Sequence, residues 1–112
     1  MRRAHTVITL LLLLALHPGA ADAAQQVRIY QPDGSRQCGE GRELGLEEMA
    51  RPLREAGIAI RSAEKRRLPI MVGTACGMPT GIANTYVISA ADWRRLEQRG
   101  GLGFKRWDWR RR

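Results

Sequence analysis

The chain has 112 residues, and its 19 Lys and Arg against 11 Asp and Glu give a formal net charge of +8. Segment 1–23 holds two of the arginines and one of the aspartates, so 17 basic and 10 acidic residues remain and the net charge becomes +7. Both histidines, His5 and His17, also lie in that segment. The remainder, 24–112, lacks histidine, which excludes Ser-His-Asp catalysis, Cys-His catalysis and imidazole metal sites.

Segment 1–23 predicts a cleaved secretory signal peptide. Two arginines precede an apolar stretch of about ten residues, which is too short to cross a bilayer. Ala21-Asp22-Ala23 fits the small-x-small pattern that signal peptidase recognises, so we place cleavage after Ala23. The alternative is a retained amphipathic anchor. We expect a soluble periplasmic or secreted product with no transmembrane segment after processing.

The two cysteines, Cys38 and Cys76, are expected to form one structural disulfide. They are too few for a four-thiolate zinc site, and their spacing differs from the Cys-x-x-Cys of thiol oxidoreductases. An oxidising compartment favours the bridge, which would stabilise the fold by about 4 kcal/mol through loop closure. The alternative is a reactive or metal-binding thiol pair. We expect neither a metal nor a cofactor.

The first half of the remaining chain predicts a strand, a helix and a second strand. Alternation over 27–31 predicts a strand with Val27 and Ile29 inward, followed by a Pro-Asp-Gly turn. Apolar spacing predicts a helix over 46–57, in which Pro52 is expected to cause a kink or a restart. Two shorter segments complete this half: Ile58–Ser62 as a strand with Ile58 and Ile60 inward, and the charged run Ala63–Arg67 as a solvated loop.

The second half predicts a hairpin and a second helix. The hairpin pairs a strand over 70–76 with a strand over 82–88, through a glycine-containing turn. A capping box with Ser89 and Asp92 then opens a helix that stops at Gly100. Five apolar residues are expected to pack on the sheet or to close the core: Ala90, Trp93, Leu96, Leu102 and Phe104.

These elements predict an α+β domain over 24–104. The expected fold is a small mixed sheet of three or four strands with two helices and one disulfide, because the element order allows at most one parallel crossover.

Short motifs spread from Ile29 to Phe104 carry a resemblance, chiefly Cys76-Gly77-x-x-Thr80-Gly81 together with Cys38. The pattern resembles a group of small exported proteobacterial proteins of unassigned function. The resemblance implies export and a paired-cysteine fold, and it implies no activity, substrate or site residue. Pro52 and the arginine-rich C-terminus depart from the pattern.

The C-terminal segment 105–112, which we call the tail, combines five basic residues with two tryptophans: Lys105, Arg106, Trp107, Trp109, Arg110, Arg111 and Arg112. Asp108 lowers the net charge of the tail to +4, which leaves only +3 on the body. Tryptophan favours a boundary between water and apolar matter, and arginine binds phosphate. These residues make the tail a candidate for contact with an anionic surface. The sequence favours the alternative, a disordered, solubilising terminus with Trp107 tucked against the body.

The sequence favours a non-enzymatic binding module whose partner is an unknown protein or the anionic cell envelope. Nucleic acid is not expected as a partner, because the chain is expected to be exported. The first alternative is an inhibitor of a secreted enzyme that presents the loop Cys76–Gly81. A second alternative is an enzyme with carboxylate chemistry at Glu40 and Glu43, which flank a glycine-rich loop.

Overall fold

The computed structural model describes residues 25–109, which form a four-stranded sheet with two helices packed on one face. The predicted signal peptide, 1–23, lies outside the described residues, as do Arg110–Arg112. The strands are β1 (Gln26–Pro32), β2 (Ser62–Arg67), β3 (Ile82–Ser89) and β4 (Lys105–Arg106), and the helices are α1 (Leu46–Glu55) and α2 (Ala90–Gln98). Single 3-10 turns occupy Gln37–Gly39 and Gly100–Gly103.

The sheet order is β2-β3-β1-β4, and every pair is antiparallel. The α+β class, the two helices, the four strands and the disulfide are confirmed. The sheet differs from the expected mixed arrangement because no pair of the described strands is joined by a parallel crossover.

The core lies between the helices and one face of the sheet. Opposite residues of an antiparallel pair share a face, so the pairing of Ile29 with Tyr86 and of Val27 with Ile88 aligns four side chains toward the helices. Ile29 is fully buried and Val27 is half-buried, as the alternation in β1 predicts. The buried core residues include Met49, Ala50, Leu53, Trp93, Leu96 and Phe104.

Helix α1 runs through Pro52 as one helix. Proline lacks the N–H that would bond to the carbonyl four residues back, but its own carbonyl accepts a hydrogen bond from the Ala56 N–H at 3.0 Å. The proline ring is exposed, while Met49 and Leu53 bury the opposite face. This burial offsets the lost hydrogen bond, and the helix does not restart.

The end of α1 is a Schellman motif. Gly57 adopts φ +80°, and its N–H donates to the Arg54 carbonyl, while the Ile58 N–H donates to the Leu53 carbonyl, both at 3.0 Å. This motif confirms the predicted role of Gly57 and turns the chain toward β2.

The second strand lies later than the sequence predicts. Residues 58–61 form no strand, although Ile58 is buried in the core, and β2 instead spans the charged run that was expected to be a loop. β2 is an edge strand with five of six residues exposed. Charged side chains are therefore compatible with it, and they discourage pairing with another chain.

The predicted hairpin is wrong in its first strand. Segment 68–81 forms a long loop, and β3 pairs with β2 on one side and with β1 on the other. The apolar run 70–72 matches a strand by composition, yet Ile70 and Met71 are exposed. The sheet positions beside β3 are already taken, so the run has no strand to pair with.

Helix α2 begins as the sequence predicts. The Ser89 hydroxyl accepts a hydrogen bond from the Asp92 N–H at 3.0 Å, which satisfies one of the free donors of the first turn. Trp93 and Leu96 are buried, and Phe104 closes the core as predicted. Leu102 does not, because it is 41% exposed and sits at φ +50° in the 3-10 turn.

Candidate functional site

The start of the tail belongs to the sheet. Lys105 pairs with Tyr30 and Arg106 with Ile29, so β4 lies beside β1. The Trp107 N–H extends this edge by donating to the Arg28 carbonyl at 2.8 Å. Backbone hydrogen bonds therefore hold residues Lys105–Trp107 against β1. This placement agrees with the expectation that Trp107 packs against the body.

Three aromatic rings form a cluster where the tail leaves the sheet. The Tyr30 ring centroid lies 5.5 Å from Trp107 and 5.1 Å from Trp109, and the two indoles lie 4.7 Å apart. The first and last of these pairs are edge-to-face, an arrangement that the ring quadrupoles favour. Both tryptophans are half-buried, so part of each indole remains exposed to solvent.

Arginines surround the aromatic rings. The Arg66 guanidinium lies 5.9 Å from the Trp107 ring centroid, at the limit of a cation–π contact. Arg28 donates to Glu64 at 3.0 Å and to the Thr85 hydroxyl at 3.1 Å. We call Arg28, Tyr30, Arg66, Arg106, Trp107 and Trp109 the Trp–Arg cluster.

The cluster carries more positive than negative charge. Glu64 is shared by two guanidiniums, because Arg66 lies 2.6 Å from the carboxylate that Arg28 also contacts. The hydrogen bond from Arg66 is the main cause that lowers the pKa of Glu64; desolvation opposes it, and the charges of Arg66 and Arg28 add to it. Arg106 pairs with Asp108 at 3.3 Å. Counted with Lys105, four cations face two carboxylates, which leaves a local charge of +2.

A recess of about 290 Å³ lies within the cluster. Its lining combines the three arginines and both tryptophans with Gln26 and Val27. Guanidinium groups bind phosphate or carboxylate in a forked geometry, and indole rings cover apolar surface. The arrangement is suited to an anionic group attached to an apolar or ring-shaped body.

The sequence located half of this cluster. Of the predicted site residues, Lys105, Arg106, Trp107 and Trp109 are brought together, whereas Arg110–Arg112 lie outside the described residues. Sequence reasoning missed Arg28, Tyr30 and Arg66. Alternation in β1 places Arg28 and Tyr30 on the face opposite Ile29, which is the signal that was available.

The disulfide joins two loops beyond the far end of the sheet. Cys38 and Cys76 are bonded, with their Cα atoms 5.1 Å apart, so the predicted pairing is confirmed. The Gln37 N–H donates to the Met78 carbonyl at 2.7 Å, and Arg36 pairs with Pro79 in an isolated bridge. The loop Cys76–Gly81 is therefore held rigidly, and it presents Met78 at 44% exposure.

An ion pair between the exposed Lys65 and the buried Asp33 ties the first of these loops to the sheet. Lys65 donates to Asp33 at 2.9 Å, to the Asn84 side-chain oxygen at 2.8 Å and to the Leu44 carbonyl at 3.1 Å. Burial alone would raise the pKa of Asp33, but hydrogen bonds from Ser35 and Lys65 lower it below its ordinary value. Burial alone would lower the pKa of Lys65, but its bonds to Asp33 and Glu43 raise it. A lysine held in its charged form is unsuited to act as a base or nucleophile, which favours a structural role.

The suggested carboxylate pair finds little support. Glu40 and Glu43 are both exposed, and Glu43 contacts the Lys65 ammonium at 3.2 Å. The general acid of a glycosidase lies in an apolar pocket, which these exposed side chains lack.

No protein-family profile, curated protein or solved structure matches the chain. Within 25–109, no helix has the length and apolar character needed to cross a membrane.

Proposed function

We propose that this chain is a non-enzymatic, exported binding module that contacts an anionic surface of the cell envelope through the Trp–Arg cluster. The observation that carries the proposal is the pairing of Lys105 and Arg106 with β1, which brings the indoles of Trp107 and Trp109 together at one edge of the sheet, beside Arg28 and Arg66. The disulfide supports an oxidising compartment, periplasmic or extracellular. The resemblance to small exported proteobacterial proteins stays a prediction.

The charge arithmetic favours a reversible surface contact. The cluster together with Lys105 contributes +2, and the sequence adds Arg110–Arg112, for a total of +5. A basic residue near an anionic membrane contributes about 1 kcal/mol, and the contribution falls within a Debye length. Five charges give roughly 5 kcal/mol, which corresponds to binding below millimolar and makes it sensitive to salt. The half-buried indoles add contact with the interface.

A charge-variant pair tests this proposal on vesicles that contain anionic phosphatidylglycerol. The double variant Lys105→Gln/Arg106→Gln removes two charges at the cluster, which predicts about thirtyfold weaker binding at low salt. The matched control Arg51→Gln/Arg54→Gln removes the same charge from α1, on the other side of the sheet. We expect the control to bind nearly as the unmodified chain does, and all binding to weaken as salt rises. Equal loss in both variants, or binding that ignores salt, would contradict a specific role for the cluster.

A second candidate function is inhibition of a secreted enzyme by the loop Cys76–Gly81. The observation that favours it is the disulfide-held loop with Met78 exposed, because a rigid loop loses little entropy on binding. Immobilised protein should then capture a hydrolase from envelope extract, and Met78→Asp should release it. Recovery of no hydrolase would remove this candidate.

A further inference from the structure

A second recess lies beyond the end of β1 and β2, on the side of the sheet that the helices leave free. We call it the end groove; its volume is about 270 Å³, and its main lining residues are Pro32, Arg36, Leu68, Ile70, Val72 and Pro79. Five of these six side chains are apolar. Ile70 is 51% exposed, so an apolar surface that a folded protein would normally cover is left open to solvent.

The walls of the end groove are fixed. The Leu68 N–H donates to the Gly81 carbonyl at 2.7 Å, which prolongs the pairing of β2 with β3 by one step. The Gln37 side chain donates to the Gly73 carbonyl at 3.0 Å. Gly81 has φ +77°, and a Cβ there would lie 2.6 Å from Val72 Cγ1. Glycine at this position lets the loop lie close over the strand end, so the groove exists before any ligand binds.

The end groove adjoins the Trp–Arg cluster along the strands. Arg66 of the cluster lies opposite Ala83, which lies opposite Pro32 of the groove. Residues two apart in a strand share a face and lie about 7 Å from each other, so Tyr30 of the cluster is one step from Pro32. An apolar groove and a cationic recess therefore form neighbouring parts of one face.

We propose that the end groove binds the hydrocarbon chain of an anionic amphiphile whose phosphate or carboxylate head group is held by the Trp–Arg cluster. This inference rests on the proposed function and adds a ligand class to it. Charge complementarity supports this occupant: the cluster together with Lys105 carries +2, and Arg36 adds a cation at the groove itself. A neutral amphiphile would leave these cations unmatched, and a small anion would leave the apolar groove uncovered.

Three small probes, used below their micelle concentrations, test the inference on the wild-type sequence from which the predicted signal peptide, 1–23, has been removed. Octyl phosphate offers both parts of the ligand, butyl phosphate shortens the chain, and octyl glucoside removes the charge. A fully buried methylene strengthens binding about fourfold, so four partly buried methylenes should make octyl phosphate bind at least about tenfold tighter than butyl phosphate. Tryptophan fluorescence reports on the head group, and methyl NMR of Ile70 reports on the chain.

A matched pair of variants locates the chain. Ile70→Asn places a polar group in the groove and should abolish the difference between octyl and butyl phosphate. Met71→Asn alters the next residue, which is fully exposed and does not line the groove, and should leave the difference intact. Both positions are exposed, so neither variant should unfold the protein.

The outcomes separate this inference from the proposed function. Anionic vesicle binding without any chain-length dependence overturns the groove ligand and leaves the proposed function standing. Octyl glucoside binding as tightly as octyl phosphate overturns the head-group assignment. If the protein binds neither anionic vesicles nor alkyl phosphates, both proposals are overturned. Ile70 methyl shifts that follow protein concentration without a ligand identify a second copy as the occupant instead.

Discussion

At the scale of single residues, Lys65 connects three parts of the chain through one ammonium group. It contacts Asp33 after β1, Glu43 in the first long loop and Asn84 in β3. Asp33 is 1% exposed, so removing Lys65 would leave a buried carboxylate with only the hydrogen bonds from Ser35 to stabilise its charge. This contact explains why a charged residue in an edge strand is fixed in place.

The lowered pKa of Asp33 predicts a contribution to stability on the acid side. Because the folded pKa lies below the ordinary value of 3.8, the contribution is present above about pH 4 and is lost as the pH falls through the folded pKa. Asp33→Asn should lower the free energy of unfolding at pH 7 by about 2 kcal/mol and flatten this pH dependence. Urea titrations at several pH values measure it. An effect no larger than that of Glu48→Gln, which alters an exposed ion pair, would contradict the assignment.

Tyr86 predicts a loss of stability on the alkaline side. Burial, assisted by the charge of Glu47 and opposed by that of Arg54, raises the pKa of Tyr86 to about 12. Its folded pKa lies above the ordinary value of 10, so its contribution is complete below about pH 10 and is lost as the pH rises toward 12. Tyr86→Phe removes a 2.7 Å hydrogen bond to the Leu46 carbonyl and should cost about 1 kcal/mol at pH 7. In urea titrations between about pH 8 and pH 12, the variant should lose less stability than the wild-type protein as the pH rises. An equal loss in both proteins would contradict the assignment to Tyr86.

At the scale of elements, the sequence predicted the helices and strands that are determined by local patterns. β1 follows alternation, α1 ends at a glycine with positive φ, and α2 begins at the Ser89 cap. β2 could not be predicted, because an edge strand buries little and its charged residues match a loop equally well. The false strand over 70–76 has the opposite cause: its composition suits a strand, but the fold offers it no neighbour.

Pro52 is expected to lower the stability of α1, because it lacks one backbone hydrogen bond. Pro52→Ala restores the missing N–H toward the Glu48 carbonyl in an exposed position, so we expect a gain of about 1–2 kcal/mol in the free energy of unfolding. Thermal or urea unfolding measures this gain, with Arg51→Ala as a control that should change little. A destabilised Pro52→Ala would show that the proline ring makes contacts that the helix needs.

At the scale of the whole molecule, the candidate site depends on pairings between distant segments. The tail residues were predicted from composition alone, because charge and tryptophan content are visible in any sequence. Arg28 lies in β1 and Arg66 in β2. Predicting that they are neighbours requires the strand order, in which β3 lies between those two strands. The misplacement of β2 therefore hid Arg66, whereas the alternation in β1 already offered a signal for Arg28 and Tyr30.

The disulfide predicts the largest single loss of stability. Its loop spans a sequence separation of 38, for which loop closure gives about 4 kcal/mol. Cys38→Ser/Cys76→Ser should lower the free energy of unfolding by roughly this amount, as chemical denaturation would show. Nearly unchanged stability would mean that the hydrogen bonds between the two loops suffice without the bridge.

The most direct test of the account follows the two tail tryptophans at a membrane. In a Trp93→Phe variant, only Trp107 and Trp109 emit, since the chain has three tryptophans. Vesicles of brominated phosphatidylglycerol should quench this emission, salt should reverse the quenching, and brominated phosphatidylcholine should have little effect. Equal quenching by both lipids, or by neither, would contradict the claim that the Trp–Arg cluster contacts an anionic envelope surface.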